Sequence, residues 1–230
     1  MHGCNGCRAT RRAPASITGV PPLHYYIRHR RGRKITSTGW LRGLPTMTPN
    51  AAYLYVGQVS PRIRFATTAD ATSIERIEND ADRLLIDRLE PDAWSQAPPS
   101  AERITDLGFV LVAEVDEDVV GFVHVLEIDD ACHLEQLSVS PAFARRGLGR
   151  ALTEAAKRHA GERGHSRITL RTFADVPWNA PFYATVGFAE EEPSTAFHRS
   201  LVEVEARLGL DRYGRRVQMG ATLRPASAVH

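Results

Sequence analysis

The chain has 230 residues, of which 43% are hydrophobic and 24% charged, values typical of a soluble globular protein and of a length that suits one domain. It contains neither an uninterrupted apolar run of about 18 residues nor an N-terminal apolar signal core, so we expect no membrane span and no secretory signal. The three cysteines (Cys4, Cys7 and Cys132) are too few for a disulfide framework, which favours a cytoplasmic location.

The N-terminal part of the chain differs strongly in charge from the rest. Residues 1–69 hold 11 of the 29 Lys and Arg residues and no acidic residue, which leaves 18 bases against 27 acids, or −9, in the remainder. Three interpretations of residues 1–46 are open: a disordered basic tail that contacts nucleic acid or anionic surfaces, a targeting peptide, or a segment outside the working protein that precedes a start at Met47. The composition favours an extension that is disordered or lies outside the working protein. We therefore divide the chain into a basic extension over 1–61 and one domain over 62–225.

From residue 62 onward the hydrophobic pattern is regular. Alternating apolar residues predict strands, and apolar residues at a spacing of three and four predict helices. The first predicted elements are a strand over 62–67 and a helix, which Thr72 and Glu75 open with a capping box. A hairpin of strands over 109–115 and 119–128 follows, then a strand over 133–139 and a helix from 148 that ends at Gly161 and Gly164. The remaining predicted elements are a strand over 167–173, a helix over 177–185, a strand over 187–191, a helix over 195–208 and a strand over 217–223. This order predicts a mixed α/β sheet rather than a doubly wound one.

The most informative segment is a glycine loop with arginines, Arg145-Arg146-Gly147-Leu148-Gly149-Arg150, between a predicted strand and an amphipathic helix. Glycine lets the backbone approach a ligand closely. The first amides of a helix have no internal partner and lie at the positive end of its dipole, so they form a site suited to a pyrophosphate. Two glycines that only shape a loop are the alternative. The strand before, the helix after and the nearby arginines favour the anion site.

Two segments resemble sequence motifs of a known family. Residues 137–152, Leu-Ser-Val-Ser-Pro-Ala-Phe-Ala-Arg-Arg-Gly-Leu-Gly-Arg-Ala-Leu, resemble motif A of the GCN5-related N-acetyltransferase (GNAT) superfamily, and residues 181–188, Pro-Phe-Tyr-Ala-Thr-Val-Gly-Phe, resemble motif B. The element order resembles that fold too, so the likeness covers about 70% of the chain. One departure is Ala144, where the family usually has Gln or Arg.

The resemblance implies a mostly antiparallel central sheet flanked by helices, with acetyl-CoA as co-substrate. The strand before the glycine loop would separate from its neighbour, so that its backbone binds the pantetheine arm, and the amides from Arg146 to Ala151 would hold the pyrophosphate. Asn179 would bind the coenzyme arm or cap the following helix, and capping is the commoner use of Asn at a helix start. The implied cofactor-binding residues are Leu137, Ser138, Val139, Arg145, Arg146, Gly147, Leu148, Gly149, Arg150, Ala151 and Asn179.

The resemblance also assigns the catalytic acid. Tyr183 occupies the family's usual position for the group that protonates the departing thiolate, and packing beside Phe182 is the alternative role of this aromatic residue. A base must take a proton from the attacking amine, whose pKa is near 10. Because alternate residues of a strand share a face, residues 133, 135, 137 and 139 are expected together, and we favour Glu135 over His133 as the base.

We predict an N-acetyltransferase that moves an acetyl group from acetyl-CoA to a primary amine by direct attack in a ternary complex. The alternatives are a catalytically silent acyl-CoA-binding regulatory module and an enzyme that residues 1–46 deliver to nucleic acid. No metal is expected, because Cys4 and Cys7 form an isolated C-x-x-C without a second ligand pair. Polyamines, aminoglycosides, amino acids, peptide N-termini and lysine side chains are all open as acceptors, the −9 charge favours a cationic one, and a homodimer is compatible with the sequence. Trp94 and Trp178 line the acceptor pocket or belong to the core.

Overall fold

The computed structural model describes residues 61–91, 94, 96–97, 99–105 and 107–223. The basic extension predicted over 1–61, with its three interpretations, lies outside the described residues apart from Pro61. The division of the chain at residue 62 therefore stays a prediction. No helix among the described residues is long and apolar enough to cross a bilayer.

Seven strands and five α-helices make up the described part of the chain. The strands are β1 (Arg62–Phe65), β2 (Phe109–Val115), β3 (Asp118–Ile128), β4 (Ala131–Val139), β5 (Arg167–Phe173), β6 (Ala189–Glu191) and β7 (Arg216–Thr222), and the helices are α1 (Ala71–Leu89), α2 (Ser100–Thr105), α3 (Leu148–Glu162), α4 (Ala180–Thr185) and α5 (Ala196–Leu208). Short 3-10 turns lie at Thr68–Asp70, Pro141–Phe143 and Leu210–Tyr213.

The strands form one sheet in the order β1-β2-β3-β4-β5-β7-β6. Every neighbouring pair is antiparallel except β4 and β5, which run parallel. The predicted hairpin is present, and its turn places Asp116 at φ 51° and Glu117 at φ 71°, the left-handed backbone that two-residue hairpin turns need. The mixed, mostly antiparallel sheet flanked by helices is confirmed.

Apolar side chains cover both faces of the sheet. On one face, Leu152 of α3 packs with strand residues that include Val123 and Leu170. On the other face, Ile74 and Ile77 of α1 pack with Phe122 and its neighbours. Burial of each such side chain contributes about 1.5–3 kcal/mol. The two layers hold the central strands β3, β4 and β5 in place. A gap opens between β4 and β5, because these two strands pair over only part of their length.

The start of α1 differs from the prediction. The helix begins at Ala71, so Thr72 and Glu75 lie inside it and form no capping box at its start. The amide of Thr67 instead donates to Oδ2 of Asp70 at 2.7 Å, one turn earlier. Glu75 accepts a hydrogen bond from the amide of Ser100 at 2.7 Å, which joins α1 to α2, a helix that has no counterpart among the predicted elements.

A β-bulge in β4 overturns the expectation that residues 133, 135, 137 and 139 share one face. His124 of β3 pairs with Gln136 while Val125 pairs with Leu134, so Glu135 is one extra residue. Leu134 and Leu137 consequently both pack in the core on the α3 side. The ring of His133 lies on the opposite face, 5.4 Å between ring centroids from Phe197 of α5.

Candidate active site

The main cavity opens where β4 and β5 separate. The two strands pair only at His133↔Thr169 and Leu134↔Leu170. Beyond these pairs β4 remains bound to β3 on its other side, as at Val123↔Leu137. The edge of β4 that faces β5 therefore has no strand partner there. This separation of the two strands is the one that the family resemblance implied. The backbone groups on this edge can pair with an extended ligand.

The cavity measures about 670 Å³. It runs from the glycine loop, past the gap between the strands, to α1 and the C-terminal part of α5. Ten of the predicted site residues line it, and these are Glu135, Leu137, Ser138, Val139, Arg145, Gly147, Leu148, Gly149, Asn179 and Tyr183. The fold thus brings the predicted donor-binding and catalytic residues together around one space.

The N-terminus of α3 forms the anion-binding end of the cavity. Gly147 is its N-cap residue, with a left-handed backbone at φ 82°, and a Cβ placed there would meet no atom within 4 Å. The amides of Leu148, Gly149 and Arg150 occupy the first turn, where helix geometry leaves them without an acceptor. We expected the amide of Ala151 to bind the pyrophosphate as well. It already donates to the carbonyl of Gly147 at 3.0 Å, so it is not available to a ligand.

The three arginines of the loop have different surroundings. Arg145 lines the cavity, with a left-handed backbone at φ 61°. The guanidinium of Arg146 lies 5.1 Å from the ring centroid of Phe143, in cation–π contact. Arg150 donates to the carbonyl oxygen of Thr185 at 3.1 Å and to its Oγ1 at 3.2 Å. Among the three, only Arg145 adds its charge at the cavity, and Arg150 instead fixes the end of α4.

Tyr183 combines the two roles weighed for it. Its ring packs edge-on against Phe182 and Phe188, at centroid distances of 5.2 and 5.7 Å, and is 8% exposed. The residue also lines the cavity. Burial raises the pKa of its phenol above the ordinary value, so the hydroxyl keeps its proton at neutral pH and can donate a hydrogen bond.

The segment before α4 contributes polar and aromatic groups. Asn179 is the N-cap residue of α4, but its side chain makes no capping hydrogen bond, and the residue lines the cavity. Trp178, 45% exposed, and Trp94 line the same cavity, so neither belongs to the closed core. The side-chain amide of Asn179 is therefore not used to cap its own helix.

His133, which also lines the cavity, is the first member of a buried hydrogen-bond chain. Its Nδ1 lies 2.9 Å from Oγ1 of Thr169, which lies 3.1 Å from Nε2 of His198. Gln218 donates through Nε2 both to Nδ1 of His198, at 3.1 Å, and to Oε1 of Glu191, at 3.0 Å. Because the carboxylate of Glu191 can only accept, the amide orientation of Gln218 is set, and Nδ1 of His198 must be the acceptor.

The donor and acceptor of each remaining hydrogen bond in this series follow from the number of hydrogens that each group carries. With Nδ1 as acceptor, His198 carries its proton on Nε2 and donates it to Thr169. Thr169 donates its own hydroxyl proton to the carbonyl of Cys132 at 3.3 Å, so it must accept from His133 Nδ1. The Nε2 of His133 therefore carries a lone pair. Burial lowers the pKa of His133 to about 4, which keeps the ring neutral.

Four carboxylates line the cavity, and they differ in their partners. Glu78 forms a buried ion pair with Arg103 at 2.6 Å, and Glu205 accepts from Arg171 at 2.6 Å and from Arg216. Glu135 lies at the bulge of β4. Asp82 accepts a hydrogen bond from the indole Nε1 of Trp94 at 3.0 Å, and burial raises its pKa to about 6. The ion-paired groups and Asp82 are absent from the predicted site, although Glu78 and Asp82 stand at helical spacing of four beside the apolar stripe of α1.

No group of three or more His, Cys, Asp or Glu side chains that could hold a metal ion occurs among the residues that the structure describes. The three features that a CoA-type ligand needs are present in one cavity. They are a helix N-terminus with open amides for a pyrophosphate, an unpaired strand edge for an extended arm, and apolar walls.

Comparison with known proteins agrees with this arrangement. Residues 73–188, about half of the chain, match the model of the acetyltransferase (GNAT) family. The ribosomal-protein-S18-alanine N-acetyltransferase of Escherichia coli superposes with a TM-score of 0.52 at 19% identity, over 74% of this chain and 99% of that chain. The PaiA N-acetyltransferase of Thermoplasma acidophilum, solved with coenzyme A, gives 0.51 at 15% identity, over 71% and 99%.

A third solved structure, N-acetylglutamate synthase of Neisseria gonorrhoeae complexed with coenzyme A and N-acetylglutamate, gives a TM-score of 0.52 at 17% identity, over 72% of this chain and 35% of that chain. At such identities the structural likeness shows the fold alone. The family is shown by the sequence match, which includes the glycine loop and Tyr183. This chain belongs to the acetyltransferase (GNAT) family.

Proposed function

We propose that this protein transfers an acetyl group from acetyl-CoA to a primary amine, by direct attack of the amine within a ternary complex. The observation that carries the proposal is one cavity that joins the open amides of α3, the unpaired edge of β4 and the buried phenol of Tyr183. Membership of the acetyltransferase family supports an acetyl-CoA-dependent reaction.

The residues for the donor follow from the anion-binding end. The amides of Leu148, Gly149 and Arg150 would bind the pyrophosphate, with Arg145 as the nearby positive charge. The edge of β4 over 137–139 would pair with the pantetheine arm, and the amide of Asn179 would contact it. Bound acetyl-CoA supplies the thioester whose acetyl group is transferred.

Tyr183 is the residue that we assign to stabilise and protonate the departing CoA thiolate. A thiol has an ordinary pKa of about 8.5, below that of a buried phenol, so complete proton transfer from Tyr183 to the thiolate is uphill. The first contribution of the phenol is a hydrogen bond to the charge that develops on sulfur, in an environment with little water. The proton then passes to sulfur as the thiol leaves. The phenol regains a proton from solvent and the base releases to solvent the proton taken from the amine, so both groups return to their starting states.

We assign Glu135 as the general base that takes a proton from the attacking amine. The bulge sets it in the cavity wall next to the point where β4 and β5 separate. A carboxylate there can take the amine's proton directly or through one water. The neutral ring of His133, with its lone pair on Nε2, accepts a hydrogen bond but is a weak base at neutral pH because burial lowers its pKa to about 4.

Calorimetric titration of the full chain with acetyl-CoA tests the donor site. We expect Gly147→Val to weaken binding at least about tenfold, because the new side chain enters the anion-binding end. The matched control is Gly164→Val, since Gly164 has a similar left-handed backbone at φ 93° and equally open surroundings but follows the far end of α3. Equal binding by both variants, or no binding to the unaltered protein, would refute the proposed donor site.

Turnover separates the enzyme from the catalytically silent module. Continuous detection of CoA release in the presence of a panel of primary amines is expected to show amine-dependent release. Tight acetyl-CoA binding with no release for any amine would favour the regulatory module instead. The cavity residue Tyr183 supports the enzyme, because a module that only binds acyl-CoA needs no proton donor beside the thioester.

A further inference from the structure

We infer that Asp82 and Trp94 form a subsite for a second positive charge on the acceptor, so that the preferred acceptors are amines with a further cationic group, as in a diamine or polyamine. This inference rests on the proposed transferase function, whose acceptor it specifies. Asp82 and Trp94 line the same cavity as Glu135 and Tyr183, so a molecule with two separated amines can occupy both regions of one space.

Two of the four carboxylates that line the cavity are neutralised by arginines, and Asp82 is not one of them. Glu78, one turn earlier on α1, is neutralised by Arg103 of α2, and Glu205 of α5 is neutralised by Arg171 and Arg216. Asp82 accepts from a neutral indole N–H. No Lys or Arg lies within ion-pair distance of it in the part of the chain that the structure describes. The carboxylate is thus half-buried without a cation.

A cationic group on the ligand would neutralise the Asp82 carboxylate. A half-buried carboxylate has lost part of its hydration, and a charge-assisted hydrogen bond from an ammonium group replaces the lost interaction with water. One such bond typically contributes about 1.5–3 kcal/mol, which corresponds to at least about tenfold in affinity. A monoamine of equal length gains nothing here. The subsite therefore separates diamines from monoamines.

A structural role for Asp82 makes a different prediction. If Asp82 only anchors Trp94 to α1, an uncharged acceptor at the same place performs equally well. Asp82→Asn keeps an oxygen for the indole N–H and removes the charge. The matched control is Asp87→Asn, which removes an acidic, exposed residue of the same helix outside the cavity.

The test compares an α,ω-diaminoalkane with the n-alkylamine of the same length, on the full chain. We expect the unaltered protein and Asp87→Asn to show at least about tenfold higher kcat/KM for the diamine. Asp82→Asn is expected to lose this preference, mainly through a higher KM for the diamine. A parallel titration measures binding of the diamine to the CoA-saturated protein, and a thermal melt verifies that each variant is folded.

The outcomes distinguish the two proposals. Equal use of both amines, or a diamine preference that survives in Asp82→Asn, overturns the subsite and leaves the transferase function standing. Binding of the diamine that depends on Asp82, with no CoA release for any amine, supports the subsite and overturns the transferase function. Absence of both binding and turnover overturns both. Lowering the pH from 7.5 to 5.5 is expected to reduce the preference, because protonation neutralises Asp82. Burial is the main cause that raises the pKa of Asp82 to about 6. Glu78 adds to the rise, and Trp94 and Arg103 oppose it.

Discussion

Nδ1 of His133 lies 2.9 Å from Oγ1 of Thr169, and these two residues form one of the two pairs that join β4 to β5. The hydrogen bond therefore sits at the point where the strands separate and the cavity begins. It fixes one tautomer of a neutral imidazole at that point. The stability of the fold and the polarity of the cavity wall are coupled through this pair.

The first prediction concerns pH and stability. The pKa of His133 is lowered from 6.5 to about 4 in the folded protein, so the unfolded chain binds more protons between these values. Its contribution is fully present above about pH 6.5 and is lost as the pH falls toward 4. We expect His133→Gln to reduce the slope of unfolding free energy against pH in this window by up to about 1.4 kcal/mol per pH unit. Urea denaturation at pH 6.5 and 4.5 measures it, and identical slopes would contradict it.

Tyr183→Phe separates the phenol from the ring. The edge-on contacts with Phe182 and Phe188 need only the ring, so stability and acetyl-CoA affinity should change little. Loss of the proton donor is expected to lower kcat by about 10²–10⁴-fold. Steady-state CoA release and calorimetry on the same preparation give both values. A variant with unchanged kcat would reduce Tyr183 to a packing role.

Glu135→Gln addresses the base. The substitution keeps the shape of the side chain at the bulge and removes its ability to take a proton, so we expect kcat/KM at pH 7.5 to fall about 10²-fold or more. At higher pH, where more of the acceptor amine is already neutral, the deficit should shrink. Rates between pH 7 and 10 provide the measurement. A deficit that stays constant over this range argues for a structural effect.

Arg145→Ala and Arg150→Ala form a matched pair within one loop. Arg145 lines the cavity, whereas Arg150 binds the end of α4 through Thr185. We expect Arg145→Ala to weaken acetyl-CoA binding by about three- to tenfold at low salt, and less as salt increases. Arg150→Ala should leave that affinity nearly unchanged and lower kcat by displacing α4, which carries Tyr183. Reversal of these two patterns in calorimetry and kinetics would show that the side chains were assigned wrongly.

The sequence predicts the local features of this protein well. The apolar spacing of α3 and the glycines at 147 and 149 specify a helix with an open N-terminus, because both depend on residues close in the chain. The mixed, mostly antiparallel sheet and the family follow from the element order and two motifs. Features that depend on distant contacts are not visible in the sequence: the contact of Arg150 with Thr185 and the pairing of Asp82 with Trp94. The start of α1 at Ala71 is missed for a local reason, because Thr67 and Asp70 form the capping pair that the sequence pattern assigns to Thr72 and Glu75.

The bulge in β4 lets the strand change at one position without repacking its neighbours. Glu135 is an additional residue opposite β3, and Leu134 and Leu137 on either side of it both pack on the α3 side. Deleting Glu135 would return the strand to simple alternation and leave the side chains of 136–139 on their present faces, because Leu134 and Leu137 would then be two positions apart. The cavity wall can therefore gain or lose this one carboxylate while the core beneath it stays the same. Relatives in which β4 is one residue shorter at this point are expected to keep the same core and to lack this group of the cavity wall.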